Sequence, residues 1–148
     1  IIKNYDEDSP KEGVVFVRGT SSTNSIMQIL PRLRTEGPNV KIIASISWEL
    51  YIRQSEEYRN SIISESEWHD AMIITNGARR LMHKWIANRL VEKYSMAPDF
   101  DNRWRTGGSL EQIIAESKLD PDSLWEGITR FAKDRKYRLD KLRKVIPA

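Results

Sequence analysis

Residues 40–63 read VKIIASISWELYIRQSEEYRNSII, and the rest of the architecture follows from how that run divides. Its opening is a strand. Val40, Ile42, Ile43 and Ile46 are β-branched and crowded together, which fits a pleated surface covered on both sides. Ser45 and Ser47 take the chain out of the sheet, and Trp48, Leu50, Tyr51 and Ile52 begin a short helical turn. A second short helix is predicted from Ser55 to Ile63, with Ser55 as its N-cap and Tyr58, Ile62 and Ile63 at helical spacing. Glu49 and Arg53 stand four residues apart and would face each other across one helical turn. Glu56 and Glu57 stand close to Arg59.

Working outward, Val14 to Val17 is a further apolar β-branched run. The turn Gly19-Thr20-Ser21-Ser22 leads into a helix whose apolar positions, Ile26, Ile29, Leu30 and Leu33, make one stripe facing a sheet. Pro31 lies off that stripe and is expected to kink or shorten the helix near Leu30. Gly37-Pro38 ends it. Strand, helix and the Val40 strand form one βαβ unit. Glu65 to Asp70 reads as a polar connection carrying Trp68, and Ala71 to Thr75 as the next buried strand, closed by Asn76-Gly77. A long helix is predicted from about Ala78 to Tyr94, with Leu81, Trp85, Leu90 and Tyr94 near one side and Arg79, Arg80, Lys84, Arg89 and Lys93 over much of the rest. Met96 to Arg105 is irregular. Ser109 caps a helix through Lys118, with Gln112 three residues on to complete a capping box. Asp120-Pro121 starts a last helix to about Arg135, burying Leu124, Ile128 and Phe131. The domain is thus expected over 13–135, after an acidic linker or edge strand at 1–12 and before a basic tail at 136–148.

Composition sets the outer limits. The 148 residues suit one domain, with 39% hydrophobic and 30% charged residues and a net charge of +3. No apolar run reaches the length of a membrane span. The absence of cysteine rules out disulfides, thiolate metal sites and a thiol nucleophile, and suits the cytoplasm. The chain opens on Ile1, so an upstream segment is expected. The two histidines, His69 and His83, have no partner at metal-ligand spacing.

The central stretch resembles the C-terminal domain of transketolases. Ser47-Trp48-Glu49-Leu50, then Gln54, then Glu57-Tyr58-Arg59 and Ser61-Ile62 follow, without a gap, that family's S-W-E-L and Q-x-x-E-Y-R-x-S-V-L. Outside it the likeness is thinner. Gly19-Thr20-Ser21 stands where the family has a Thr-Gly-Ser-like turn. Asn102-Arg103-Trp104 stands at Asp-Arg-Phe, Thr106-Gly107-Gly108 in a small-residue loop, and residues 118–124 near Gly-Phe-Thr-Pro-Glu-Gly-Val. Arg105 replaces a family glycine. The resemblance implies a three-layer α/β sandwich around a mostly parallel, mixed, five-stranded sheet. It also implies membership of an enzyme that moves two-carbon ketol units between sugar phosphates with thiamine diphosphate and a Mg²⁺ or Ca²⁺ ion. In the family those groups are held by the upstream domains. Their Gly-Asp-Gly motif does not occur here, so no catalytic, cofactor-binding or metal residue is assigned to this chain. What the resemblance implies is a structural domain that supports a homodimer and contacts the upstream domains of the same enzyme, with a regulatory role left open.

Two rivals stand beside it. The first components of 2-oxo acid dehydrogenases and the deoxyxylulose phosphate synthases share this domain type. In some of them it docks an acyltransferase core, a role the arginine-rich 78–94 helix would suit. Alternatively, residues 109–124 resemble a helix-turn-helix before a basic tail. There, however, Asp122 and Glu126 would meet the phosphates and Lys118 replaces the usual turn glycine, so nucleic acid is the least expected partner. The Gly19-Thr20-Ser21 turn is either an anion cradle built from backbone N–H groups or simply a helix start.

Overall fold

The computed structural model describes residues 1–103, 105 and 107–144 together with the backbone of Val145. Trp104 and Thr106 of the family resemblance, and residues 146–148 of the tail, lie outside the described residues. In chain order the elements are β1 (Val14–Arg18), α1 (Thr20–Thr35), β2 (Lys41–Ala44), α2 (Trp48–Ile52), α3 (Glu56–Ile62), α4 (Glu65–His69), β3 (Ala71–Thr75), a 3-10 helix (Arg79–Trp85), α5 (Arg89–Glu92), α6 (Leu110–Glu116), α7 (Pro121–Lys133) and α8 (Arg135–Val145). The strands run parallel in the order β2-β1-β3, with Phe16 of the central strand in register with Ile43 on one side and Ile73 on the other.

Side chains alternate across such a sheet, so each strand feeds two cores. Val15, Val17, Ile42, Met72 and Ile74 meet the α1 stripe and the buried face of α7 in an aliphatic cluster. Val14, Phe16, Ile43, Ala71 and Ile73 meet Ile63, Met82 and Trp85, with Trp48, Tyr51 and Trp68 packed around them, in an aromatic cluster. Helix, sheet and helix make the expected three layers. The strand order reverses direction at β1, which puts the crevice of this topology at the carboxyl ends of the strands.

Among the described residues the expected five strands are three. Each sheet edge is met by a single bridge instead: Lys3 antiparallel to Ile42 beyond β2, and Met96 parallel to Ile74 beyond β3. Neither neighbour extends into a strand. After Lys3 the chain turns at Asp6, whose backbone N–H donates to the Asn39 side chain. After Met96 comes Pro98, which has no N–H to add to a ladder. At its far end β2 stops at Ala44, and Ile46, expected inside it, is 81% exposed.

The long helix expected over 78–94 is two short pieces, a 3-10 helix and α5. Met82 and Trp85 enter the aromatic core, Val91 enters the aliphatic one, and Ile86 touches both. The chain rounds the sheet edge between them, which one straight helix cannot do. Asn88 restarts it by accepting the N–H groups of Leu90 and Val91. Leu81, expected on the buried side, is exposed. Pro31 does not shorten α1, which runs on to Thr35; proline sits on the solvent face, where the lost N–H costs least. The polar connection at 65–70 is α4, opened by a capping box between Ser64 and Glu67.

The helix predicted to reach Arg135 ends at Lys133, and the stretch read as a basic tail is largely α8. Arg138 fixes it to the body. Fully buried, its guanidinium donates to Asp70 at 2.7 and 3.2 Å and to the Phe131 carbonyl, and its plane lies 3.5 Å from the Phe131 ring centre. Arg135 takes the other Asp70 oxygen at 2.6 Å. Asp70 is 3% exposed, so this is a buried charge cluster with the Asp70 carboxylate shared between two guanidinium groups.

Candidate interaction groove

The central motif builds two capped helices and the turn between them. Ser47 accepts the Leu50 N–H and Ser55 accepts the Tyr58 N–H, so each hydroxyl satisfies a donor that a helix start leaves orphaned. At the other end of α2 the problem is carbonyls. Gln54 Nε2 donates to the Leu50 oxygen at 3.0 Å, and Arg59 Nη1 reaches the Ile52 oxygen at 3.4 Å. A five-residue helix has few internal bonds, and these two side chains close what it leaves open. Glu49 is bonded across the fold to Lys84, at 3.2 Å, rather than to Arg53 four residues on. Arg53 is already the C-cap, so the helix ends before that pair can form. Its own backbone N–H and the Lys84 ammonium hold the Glu49 carboxyl below the usual carboxylate range. Glu57 lies exposed in the first turn of α3, where a negative charge suits the helix dipole.

Trp48 turns inward. Its ring lies 5.3 Å from Trp85 and 5.7 Å from Trp68, both nearly edge-on, and Tyr51 lies 5.4 Å from Trp85. The Trp68 indole N–H donates to the Trp85 carbonyl at 3.0 Å. Burial in this cluster pushes the Tyr51 phenol up. The sequence marked Trp48 and Trp68 separately; that they form one cluster depends on the 3-10 path of residues 79–85, which no helical periodicity reveals.

Outside the cluster the same helices leave a groove of about 480 Å³ at the carboxyl end of β2. Ser47, Leu50, Tyr51, Gln54 and Tyr58 line one side, and Ile1, Ile43 and Ile46 the other. Leu50 is 62% exposed and Tyr58 is 50% exposed, and Ile46, Ile52 and Ile1 join them as large apolar side chains in water. Isolated exposed apolar residues are ordinary, but several around one concavity mark a contact surface. The chemistry available there is apolar contact over a floor of Phe16, Ile43, Ile63 and Trp85.

The Gly19-Thr20-Ser21 turn is placed at the carboxyl end of β1, beside Asn76 of the next crossover. Asn76 Nδ2 donates to Ser21 Oγ at 3.1 Å. Gly19 has φ +94°, and a Cβ there would fall 1.7 Å from Asn76 Oδ1, so glycine is required both by the backbone and by the neighbour. The turn is therefore covered by a side-chain amide of the same chain. Ser47 and Gly77 end the neighbouring strands as anticipated, but the groove lies toward Ser47.

Thiamine diphosphate and its divalent cation call for a Gly-Asp-Gly turn and converging oxygen donors. The sequence has no such turn, and among the described residues no three His, Asp or Glu side chains gather as metal ligands. α7, the second helix of the helix-turn-helix reading, buries Leu124, Ile128, Phe131 and Ala132 in the aliphatic core. Among the described residues no helix is long and apolar enough to cross a membrane.

No protein-family model matches the chain. A segment of 59 residues is 34% identical to chloroplastic transketolase of Zea mays. That segment is 39% of this chain and spans 9% of the length of the maize protein. The likeness is thus to a transketolase-related segment within an α/β domain.

Proposed function

We propose that this chain is the C-terminal, non-catalytic domain of a transketolase-like enzyme that transfers two-carbon ketol units between sugar phosphates. Its part is structural: the groove beside α2 and α3 seats against the upstream domains or the second subunit of a homodimer. The observation that carries the reading is the coincidence of motif and surface. Of the stretch that resembles the family, Ser47, Leu50, Tyr51, Gln54 and Tyr58 line one side of the groove, with Leu50 and Tyr58 presented to solvent. The segmental likeness to the maize transketolase supports the same reading. Thiamine diphosphate and its metal are held elsewhere in the whole enzyme. The basic face of a single 78–94 helix, on which docking of an acyltransferase core would have rested, is divided between two elements, so no observation favours that alternative.

The test is direct. Titration of the isolated chain with thiamine diphosphate and Mg²⁺ should give no saturable heat. The protein encoded with its upstream sequence should carry a Gly-Asp-Gly motif and transfer a ketol unit from a ketose phosphate to an aldose phosphate. Cofactor binding by these 148 residues alone, or an upstream sequence without that motif, overturns the proposal.

A further inference from the structure

A second cavity, of about 310 Å³, opens beyond the β3 edge, on the far side of the sheet from the groove. Four cations line it: Arg79 from the start of the 3-10 helix, Lys93 after α5, Lys118 after α6 and Arg130 on α7. No carboxylate lines it, and among the described residues none of the four side chains forms an ion pair; the nearby Asp99 carboxylate accepts the Arg79 backbone N–H at 3.1 and 3.2 Å. Four cations from four segments, converging on one concavity, are a local field for an anion.

Two of the cavity's lining serines keep their hydroxyls out of the open space. Ser95 and Ser117 both line it, and the Oγ of each is shut off from solvent without a hydrogen-bond partner. Ser117 is 3% exposed. A buried hydroxyl left unpaired is uncommon and calls for an explanation. Backbone geometry adds to the case. Ser117, Lys118 and Leu119 close α6 in a Schellman turn, with Leu119 N–H donating to Ile114 and Lys118 N–H to Ala115. Lys118 occupies the left-handed position, φ +55°, that glycine ordinarily fills. The turn thus holds a lysine at the mouth, its ammonium 5.1 Å from the Phe100 ring centre, which forms an apolar wall.

We infer that this cavity binds a small phosphorylated compound, its phosphate held by Arg130, Lys118, Lys93 and Arg79, with Phe100 against its carbon skeleton. Phosphate oxygens supply acceptors for these ammonium and guanidinium donors, and a cavity this size admits a small molecule and not a nucleic-acid strand. The inference is independent of the transketolase reading, since neither the groove nor the motif takes part in it.

The experiment is an NMR titration of the ¹⁵N-labelled chain at fixed ionic strength with glycerol 3-phosphate, inorganic phosphate and glycerol. Saturable shifts confined to residues 95–97, 117–118 and 130 are expected with both phosphates and not with glycerol. Tighter binding of the ester than of phosphate is expected if Phe100 contributes. Lys118→Gln with Arg130→Gln, both on exposed side chains, should weaken binding by roughly tenfold or more at unchanged thermal midpoint. Non-saturable or dispersed shifts, equal response to glycerol, or saturable binding indifferent to the Lys118/Arg130 pair would overturn the inference.

Discussion

The two faces of the sheet are built from the same three strands and finished differently. On the aliphatic face, α1 and α7 are long enough to carry several turns of a continuous stripe, and Ile26, Leu33, Leu124, Ile128 and Phe131 are all sealed. On the aromatic face, the cover is α2, α3, α4 and the 3-10 helix, none longer than seven residues. Trp48, Tyr51 and Trp68 are only partly buried there, and Leu50, Ile52 and Tyr58 stand in water. Short helices gain little from propagation and depend on caps and tertiary contacts. The contrast teaches that long helices close one face while the short ones leave large apolar side chains of the other in water.

The largest effects should come from the complete side. Asp70→Ala leaves Arg138 fully buried with no carboxylate, and should cost about 3–5 kcal/mol in urea unfolding. Replacing the pair together, Asp70→Leu with Arg138→Met, should recover much of that loss, since an apolar pair of similar volume needs no desolvated charge. If the double variant is no better than the single, the cluster is not an isolated ion pair and the closing of α8 depends on more than charge.

The next prediction compares the faces directly. Phe131→Ala should cost about 3–5 kcal/mol, and Trp48→Ala less, about 2–3 kcal/mol, because the indole already keeps part of its surface in water. Equal costs would break the comparison by showing that the aromatic face is as tightly finished as the other.

The difference between the faces also explains which parts of the fold were legible. The α1 stripe and the strands at 14–18 and 71–75 could be read because a single element buries a single periodic face. The capping boxes are local signals of the same kind. Ser109 and Gln112 were readable, and Ser64 with Glu67 carries an equal signal that the acidic run around it obscures. Residues 79–94 defeat that logic. Met82 and Trp85 obey the three-residue spacing of a 3-10 helix, while Val91 belongs to the opposite face. The decisive cue there was Asn88, an N-cap in the middle of an apparent helix. Arg138 is illegible for another reason: it sits among exposed basic residues, and only Asp70, far away in sequence, distinguishes it. For the groove, Ser47 to Arg59 were identified from the motif, but Ile1 and Ile46 joined them only through the way β2 ends early.

A smaller effect concerns the entry to α4 on the aromatic side. Burial alone would raise the Glu67 carboxyl. The Ser64 backbone N–H at 2.9 Å, Lys41 at 3.6 Å, the Ser64 hydroxyl and Lys11 outweigh it and hold the pKa below its ordinary 4.5. A folded pKa below the unfolded one means that the carboxylate stabilises the fold fully above 4.5 and that this contribution is lost as pH falls through the folded value. Glu67→Gln should therefore flatten the fall of the thermal midpoint between about pH 5 and about pH 3. An unchanged slope would assign acid sensitivity to other carboxylates.

The smallest effect on folding is also the sharpest test of incompleteness. Leu50→Glu and Ile46→Glu change side chains that are mostly in water already, so the isolated chain should shift by no more than about 0.5 kcal/mol. In the protein carrying its upstream sequence, the same charges would be carried into an apolar contact and left unpaired, which is costly out of proportion to their effect on folding. Sedimentation velocity should then show a weakened subunit association, or limited proteolysis an exposed domain junction, at an unaltered midpoint for the isolated chain. If both proteins tolerate the substitutions equally, the aromatic face is a finished surface that happens to be apolar, and the asymmetry between the two faces carries no interface.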